Sequence, residues 1–566
     1  MIQLTEGIRK DFALRCPVHR GQLEGLARTA GNDAVQFGQL IAQYGYLDRD
    51  SAGEMLGATV GHTYVNLSKT LFQDEEIIKV PLEFAKQLKA IPLYKLGNAV
   101  TVAMVDPVDP KALKALETFL GAEVSPVFSF PDEVESAIMV KYHTPVDLDR
   151  MVTSFDFAPY LKADLNDAKL AELVKSKQLV EMGDSIILLA LKERASDIHI
   201  EPKKHELLVR FRVDGVMRER MVLPAQLALP LVSRFKIVSA MDITERRLPQ
   251  DGRLKFTLPL KSIDVRVSTL PTLHGEKMVM RVLGSVFSSS MLNLEKLDIV
   301  PEVLTRIKQV IQQPNGMLFV TGPTGSGKTT TLYAALNFIN NPDVNVVTIE
   351  DPVEYELPSI NQVQVNEKAG RTFGTVLRSV LRQDPDVILV GEIRDAETAR
   401  IATQAAMTGH LVLTTLHTND AIQASTRLID MGVERFMVAP SLIGVLNQRL
   451  VRRICQFCKT EYHPDEEYLG RFFTWRKGFA PPAFHRGEGC ERCGGTGFHG
   501  RIGLHEFLDI TPRMRDALMQ QSDYENLRAI ALREGFKDMR YDGFKKALRG
   551  LTTLEEVIEA TFADAE

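Results

Sequence analysis

The run Gly322-Pro323-Thr324-Gly325-Ser326-Gly327-Lys328-Thr329 joins three glycines, a lysine and a closing hydroxyl residue in the pattern G-x-x-x-x-G-K-T. Glycines let a chain curl so that its amide N–H groups point inward, and a helix that follows adds the positive end of its dipole, so such a run cradles phosphate oxygens. Its surroundings agree: the apolar MLFVT before it reads as a strand and TTLYAALNFI after it as a helix. Lys328 then supplies a full charge to the β- and γ-phosphates, and the Thr329 hydroxyl is a ligand for the Mg²⁺ that bridges them. Together with Thr330, which continues the helix, these residues form the expected ATP cradle.

Three other apolar runs end in polar residues. VNVVTIE closes on Glu350-Asp351 with Glu354 beyond, DVILV on Gly391-Glu392-Ile-Arg394-Asp395, and HLVLTTL on His417-Thr-Asn419. Ligands of α/β sheets bind at the carboxyl ends of strands, which makes these tips the candidate chemistry. Transfer of a phosphoryl group to water with a metal needs one carboxylate for the metal's surroundings and one to orient or deprotonate the water. Glu392 is the expected base, Glu350 and Asp351 are expected to hold the magnesium's waters, and the two glutamates are able to exchange roles. His417 is placed to sense the γ-phosphate. Asp395 fits equally well as the cap of the helix ETARIATQAAM. His410 and His199, each beside apolar strands, read as packed residues outside the catalytic set.

Cys455-x-x-Cys458 and Cys490-x-x-Cys493 are two pairs that can each wrap one side of a tetrahedral ion, with Gly489, Gly494 and Gly495 permitting the tight turns. The expected ion is a structural Zn²⁺ with no open coordination position. Cys16 with His19 is half such a set and reads as a packed free thiol.

These groups need elements to hold them. From 301 to 566, short apolar strands alternate with helices, which indicates a parallel sheet covered on both faces, with the cysteine element inserted at 455–493. From 179 to 300, a helix in DSIILLALKERA precedes the strands ELLVRFRV, VMRERMV, RLKFTLPL, SIDVRVSTL and EKMVMRVL. Val209, Phe211 and Val213 alternate with Arg210 and Arg212, so this sheet packs one face and presents arginines on the other. Residues 146–178 are polar and acidic, as in a linker. Residues 1–145 form an amino-terminal α/β region, with helical spacing in FGQLIAQYGYL and two strands joined at Gly97-Asn98.

A chain of 566 residues implies about three to five folding units, and 45% hydrophobic with 25% charged residues excludes a disordered or repetitive one. Lys plus Arg 68 against Asp plus Glu 73 gives a formal charge of −5, so no overall cationic field draws in nucleic acid. The start, MIQLTEGIRK, lacks a cationic segment followed by an apolar one, and no stretch approaches the ~18 apolar residues of a membrane span. A cytoplasmic protein is expected.

In combination, GPTGSGKTT, TIEDPVEY, LRQDPDVILVGEIRD and GHLVLTTLHTND resemble the Walker A, Asp-box, Walker B and His-box motifs of the type II secretion and type IV pilus assembly ATPases, the GspE/PilB-like family. The resemblance extends over about residues 180–560 through SDIHIEP, RFRVDG, LPQDGR and TTLEEV, and more loosely over the second amino-terminal half. It implies an α/β fold in which a RecA-like P-loop NTPase core follows a PAS-like mixed sheet domain, the amino-terminal region and a tetracysteine zinc element. It also implies a homo-hexamer with ATP at subunit junctions, where Arg266 and Arg281 of the sheet domain match the arginines that reach the γ-phosphate across an interface. Arg378 and Arg382, opposite the apolar stripe Phe373, Val376, Leu377, Val380 and Leu381, are expected to face a junction together. Inner-membrane platform and docking proteins of a pilus or secretion machine are the partners implied, with the protein held peripherally at that membrane through them. FGQLIAQYGYLDRD also resembles the helical segment of a cyclic-di-GMP-binding domain, but Gln36-Phe37-Gly38 lacks that pattern's arginine, so docking is the preferred reading. A DNA-moving ring ATPase and a nucleotide-gated scaffold without turnover are the alternatives.

Overall fold

The computed structural model describes residues 3–16, 20–142, 170, 172–283, 292–357, 359–472 and 482–562. They belong to two compact units, Met1–Ser285 and Val286–Glu566.

The first unit begins with the helices Glu6–Arg15, Arg20–Thr29, Ala34–Gln43 and Arg49–Val60. The helical spacing expected around Phe37 is present, with Val35, Phe37 and Ile41 buried against Phe12 and Leu56. Cys16 is a buried free thiol, and burial raises its pKa; His19 lies outside the described residues. A small sheet follows, β1 (Ala90–Leu96), β2 (Ala99–Met104) and β3 (Glu123–Phe128), in the order β1-β2-β3. β1 and β2 are antiparallel around a turn where Gly97 has φ 59°, and the helix Pro110–Leu120 crosses over to the parallel β3. The two halves are tied by Arg49, which pairs with Asp132 and donates to Glu133 Oε1 at 3.1 Å, while Tyr64 O–H donates to the same oxygen at 2.9 Å.

The stretch expected as a linker, 146–178, lies outside the described residues except at 170 and 172–178. Leu170 and Val174 are buried in the core of the following sheet, so the sheet domain takes in residues before 179. That sheet comprises β4 (Asp197–Pro202), β5 (Glu206–Val213), β6 (Val216–Pro224), β7 (Gln250–Thr257), β8 (Ser262–Thr272) and β9 (Gly275–Val282). The order is β6-β5-β4-β9-β8-β7, every pair antiparallel. Period-two alternation sends Ile198, Ile200, Val209, Phe211, Val265, Val267, Met278 and Met280 into one core with the helices Lys177–Lys192 and Ala228–Val238. The opposite face carries the arginines, as the alternation requires.

The second unit is built on β10 (Gly316–Thr321), β11 (Val346–Glu350), β12 (Asn361–Gln364), β13 (Val387–Val390), β14 (Leu411–Leu416) and β15 (Leu442–Ile454). A two-stranded β16 (Lys459–Tyr462) and β17 (Phe484–Gly487) follows, then β18 (Phe498–Asp509). The large sheet runs β12-β11-β13-β14-β10-β15-β18, parallel except for the β15–β18 pair. Every residue of β10, β11, β13 and β14 is buried. Such continuous apolar strands require cover on both faces. The helices Phe373–Val380, Ala396–Met407 and Ala421–Asp430 supply it on one side, and Pro301–Ile311 and Lys328–Ile339 on the other. The cysteine element is the tip of the long hairpin formed by β15 and β18. Among the described residues no helix is long and apolar enough to cross a membrane.

Candidate nucleotide site and cysteine cluster

The glycine run lies between the end of β10 and the helix Lys328–Ile339, with Gly322, Gly325 and Gly327 at φ +133°, +81° and +89°. A Cβ at Gly322 would sit 2.2 Å from the carbonyl oxygen of Gln448 on β15, so only glycine allows this approach. Lys328 Nζ donates to the carbonyls of Gly322 at 2.8 Å and Pro323 at 3.0 Å, which holds the ammonium over the mouth of the loop. Burial lowers its pKa, and the nearby Glu392 partly restores it. Pro323, Thr324 and Gly325 are exposed at the tip, whereas Ser326 is buried, its Oγ without a hydrogen-bond partner among the described residues. A buried donor beside curled amides and a lysine fits phosphate oxygens.

Beside the loop is a cleft of about 190 Å³ lined by Lys328, Thr329, Glu350, Asp351, Glu392 and His417 among others. The parallel strand order produces it: β11, β13 and β14 are successive neighbours, so their carboxyl ends open on one edge. Glu350 is buried and held by three donors: Tyr333 O–H at 2.5 Å, Thr348 O–H at 2.6 Å and Gln362 N–H at 3.1 Å. Burial and the carboxylate raise the Tyr333 pKa, so the phenol stays a donor. Glu392 is more open and accepts from Arg394 at 2.7 Å; the same guanidinium approaches Asp351 at 3.4 Å. Burial and then Lys328 depress the pKa of His417, with Glu392 opposing, which leaves the ring neutral near pH 7. Thr415 O–H donates to the Gly391 carbonyl at 2.7 Å and ties the tips of β13 and β14 together.

Asp395 caps the helix Ala396–Met407, accepting from Thr398 N–H at 2.8 Å. His410 packs with Nδ1 3.0 Å from the Ala405 carbonyl, and His199 lies on the six-stranded sheet of the first unit. Arg378 and Arg382 are exposed and outside the cleft lining. The helix that was expected to carry both ends at Val380, because Leu381 caps it; Arg378 pairs with Glu397, and Arg382 turns back to donate to the Arg378 carbonyl at 2.9 Å. In the first unit, Arg266 on β8 is the cross-strand neighbour of Arg281 on β9, and Arg281 Nε donates to the buried Asp197 at 2.9 Å. No spacing in the sequence marks out Tyr333, Gln362, Arg394 or Gln448, although Arg394 lies within the strand-end motif itself.

Cys455, Cys458, Cys490 and Cys493 converge, their sulfurs all within 4.8 Å of one another. The separations of 3.8 Å for Cys455–Cys490, 3.9 Å for Cys458–Cys493 and 3.7 Å for Cys490–Cys493 match the edges of a tetrahedron. Four sulfurs at about 2.3 Å from one ion would lie ~3.8 Å apart. The Cys493 sulfur accepts from the amides of Cys490 and Gly497, both at 3.2 Å. Burial opposes ionisation of this thiol, but these amides and the bonds to Cys490 and Cys458 outweigh it and lower its pKa to about 6, whereas burial pushes the Cys455 and Cys458 thiols up. The set fits a tetrahedral, thiolate-bound ion.

The family described as "Type II/IV secretion system protein" matches residues 172–559, and the "MshEN domain" matches 61–144. The chain is 41% identical over 526 residues to a protein of Thermus thermophilus named type IV pilus assembly ATPase PilB, covering 92% of this chain and 58% of that relative, so it spans little more than half of the relative's length. It is 38% identical over 559 residues to a PilB of Myxococcus xanthus, covering 96% of each chain. A type II secretion system protein E of Pseudomonas aeruginosa is 40% identical over 493 residues, covering 85% of this chain and 96% of that one. With a parallel sheet carrying the glycine loop and a family match over more than half of its length, the chain belongs to the type II/IV secretion system protein family.

Proposed function

We propose that this protein is a cytoplasmic, Mg²⁺-dependent ATPase that works as a homo-hexamer and couples ATP hydrolysis to the assembly of pilin-like subunits, in a type IV pilus or a type II secretion system. The observation that carries the reading is the cleft in which Lys328 and Thr329, at the end of the curled glycine loop, meet Glu350, Glu392 and His417. Glu392, open to the cleft and held by one guanidinium, takes the proton of the attacking water. Lys328 and the loop amides stabilise the charge that spreads over the transferring phosphoryl group, and His417, neutral, reports the γ-phosphate by hydrogen bonding. Thr329 would hold the Mg²⁺, with Glu350 and Asp351 ordering the water around it, and the ion would neutralise phosphate charge in such chemistry.

In this reading Arg266 and Arg281 act on ATP bound to a neighbouring copy, and Arg378 and Arg382 contribute at the same junctions. The four cysteines hold a structural Zn²⁺ that stiffens a contact arm for a membrane platform protein. The amino-terminal region, 1–145, docks onto an inner-membrane partner and thereby recruits the protein to that membrane; a role for cyclic-di-GMP there is the weaker alternative. The division into residues 1–145, 146–178, 179–300 and 301–566 is proposed on the same basis, with Leu170 and Val174 of the second span packed into the core of the third.

Phosphate release by the purified full chain should require Mg²⁺ and collapse in Lys328→Ala and in Glu392→Gln. Undiminished turnover in either variant overturns the assignment. Mixing Arg266→Ala with Lys328→Ala subunits should restore part of the activity, because each supplies what the other lacks; no restoration refutes action between copies.

A further inference from the structure

Gln448 lies on β15, buried, at the back of the phosphate loop. Its Nε2 donates to the Ser326 carbonyl at 2.7 Å, and its Oε1 accepts from the Thr331 hydroxyl at 2.8 Å. The orientation of the carboxamide is fixed by the first bond, because a carbonyl only accepts and so must face the NH₂ group. Gln448 is also close on two other sides: its own carbonyl oxygen occupies the space a Cβ at Gly322 would need, and its Nε2 would lie 3.2 Å from a Cβ at Gly327. It therefore touches the beginning of the loop, its end and the first turn of the helix behind it.

The bond to Ser326 has a consequence for the next residue. The Ser326 carbonyl and the Gly327 N–H belong to one peptide plane, and in a trans peptide the two point in opposite directions. Gln448 draws the carbonyl toward β15, so the N–H of Gly327 is turned away from β15. We propose that Gln448 is a positioning residue for nucleotide binding: by anchoring the Ser326 carbonyl it aims the Gly327 N–H at the phosphates. Gly327, at φ +89° and with no side chain, has the rotational freedom to present this plane either way, which is why an external anchor is required. The inference rests on the phosphate-loop reading and adds to it a residue 122 positions away in sequence.

Titration of the full chain with ADP tests the idea in Gln448→Leu and Gln448→Glu. The leucine removes both bonds; the glutamate keeps the volume and the acceptor for Thr331, but when ionised it repels the Ser326 carbonyl. A misdirected N–H forfeits a hydrogen bond to a charged oxygen, so at about pH 8 the ADP dissociation constant should rise roughly 10- to 100-fold in both. At about pH 6 a buried glutamate regains its proton and can donate to Ser326 again, so Gln448→Glu should recover toward the wild-type value and Gln448→Leu should not. Recovery by protonation is a response that a merely space-filling role would not give. Affinity within about twofold of the wild type in both variants, or a glutamate variant that tracks the leucine variant at both pH values, overturns the proposal. Lys328→Ala in the same titration separates the two claims: if it retains full affinity for ADP the phosphate-loop reading fails, and if it alone loses affinity only the role of Gln448 fails.

Discussion

The structure distinguishes the two glutamates at the strand tips, and the distinction can be measured. Glu350 offers its oxygens to three donors, from Tyr333, Thr348 and Gln362, at 2.5, 2.6 and 3.1 Å. To accept a proton from water it would have to release or weaken at least one of them. A hydrogen bond to an ionised group contributes about 1.5–3 kcal/mol, which would slow the proton transfer by roughly 10- to 100-fold compared with a carboxylate free of that cost. Glu392 has a side-chain exposure of 23% and Arg394 at 2.7 Å, and so retains lone pairs directed at the cleft. In steady-state phosphate-release assays at saturating Mg-ATP, Glu392→Gln should therefore lower kcat by about 10²- to 10⁴-fold, the usual contribution of a general base, with the KM for ATP changed only a few-fold. Glu350→Gln should behave differently, because an amide set against three donors leaves at least one of them without an acceptor; it should destabilise the fold by about 1–3 kcal/mol as well as impair turnover. If Glu392→Gln keeps more than about a tenth of the wild-type kcat while Glu350→Gln loses over a hundredfold with an unchanged urea midpoint, the assignment of the base is reversed.

Gly322→Ala should be severely destabilising, since the new methyl would meet the Gln448 carbonyl at 2.2 Å on a backbone at φ +133°; overpacking and strain cost about 1–3 kcal/mol each, and a urea midpoint equal to the parent's would refute the close approach. Protein purified without chelator should contain about one zinc per chain, and Cys458→Ser should lose it and expose the β16–β17 region to proteolysis; full zinc content in that variant would remove the tetrahedral site. His505 is enclosed with Lys546, and burial and that ammonium hold its pKa well below 6.5. As the pH falls below about 6.5 the unfolded chain binds a proton at this residue that the fold refuses, so stability from this group, full above that pH, should decline by up to about 1.4 kcal/mol per unit of acidification. Urea midpoints between about pH 6.5 and 5.5 check it: a slope for His505→Gln as steep as that of the wild type would show that the proton goes elsewhere.

Much of this architecture could be read from neighbouring letters. The glycines and Lys328 are adjacent in the chain, and a loop geometry set by consecutive residues is encoded where it occurs. Period-two alternation of Val209, Phe211 and Val213 with Arg210 and Arg212 likewise fixes which face of β5 is buried. Asp395 as a cap was one of two readings and needed the fold to decide it, because the same aspartate three residues before Thr398 serves either role. Arg378 and Arg382 show the opposite limit: the four-residue spacing is right for one helical face, but the helix stops at Val380, a boundary that periodicity locates poorly.

Glu350, Tyr333, Gln362 and Gln448 belong to a further class. Their hydrogen bonds join β11 to the helix just before it and to the edge strand β12, and β15 to a loop before all of these. Such pairings depend on strand order and register, which put β12 beside β11 and β15 beside β10. The four cysteines were legible as two pairs, yet their convergence needs β15 and β18 to run antiparallel and bring both pairs to one hairpin tip. Residue types and spacings thus specify the groups able to bind phosphate and metal, because those groups are local. Which partners hold each group in its working position is left to the folded chain, since contacts between distant segments arise only when the sheet sets their neighbours.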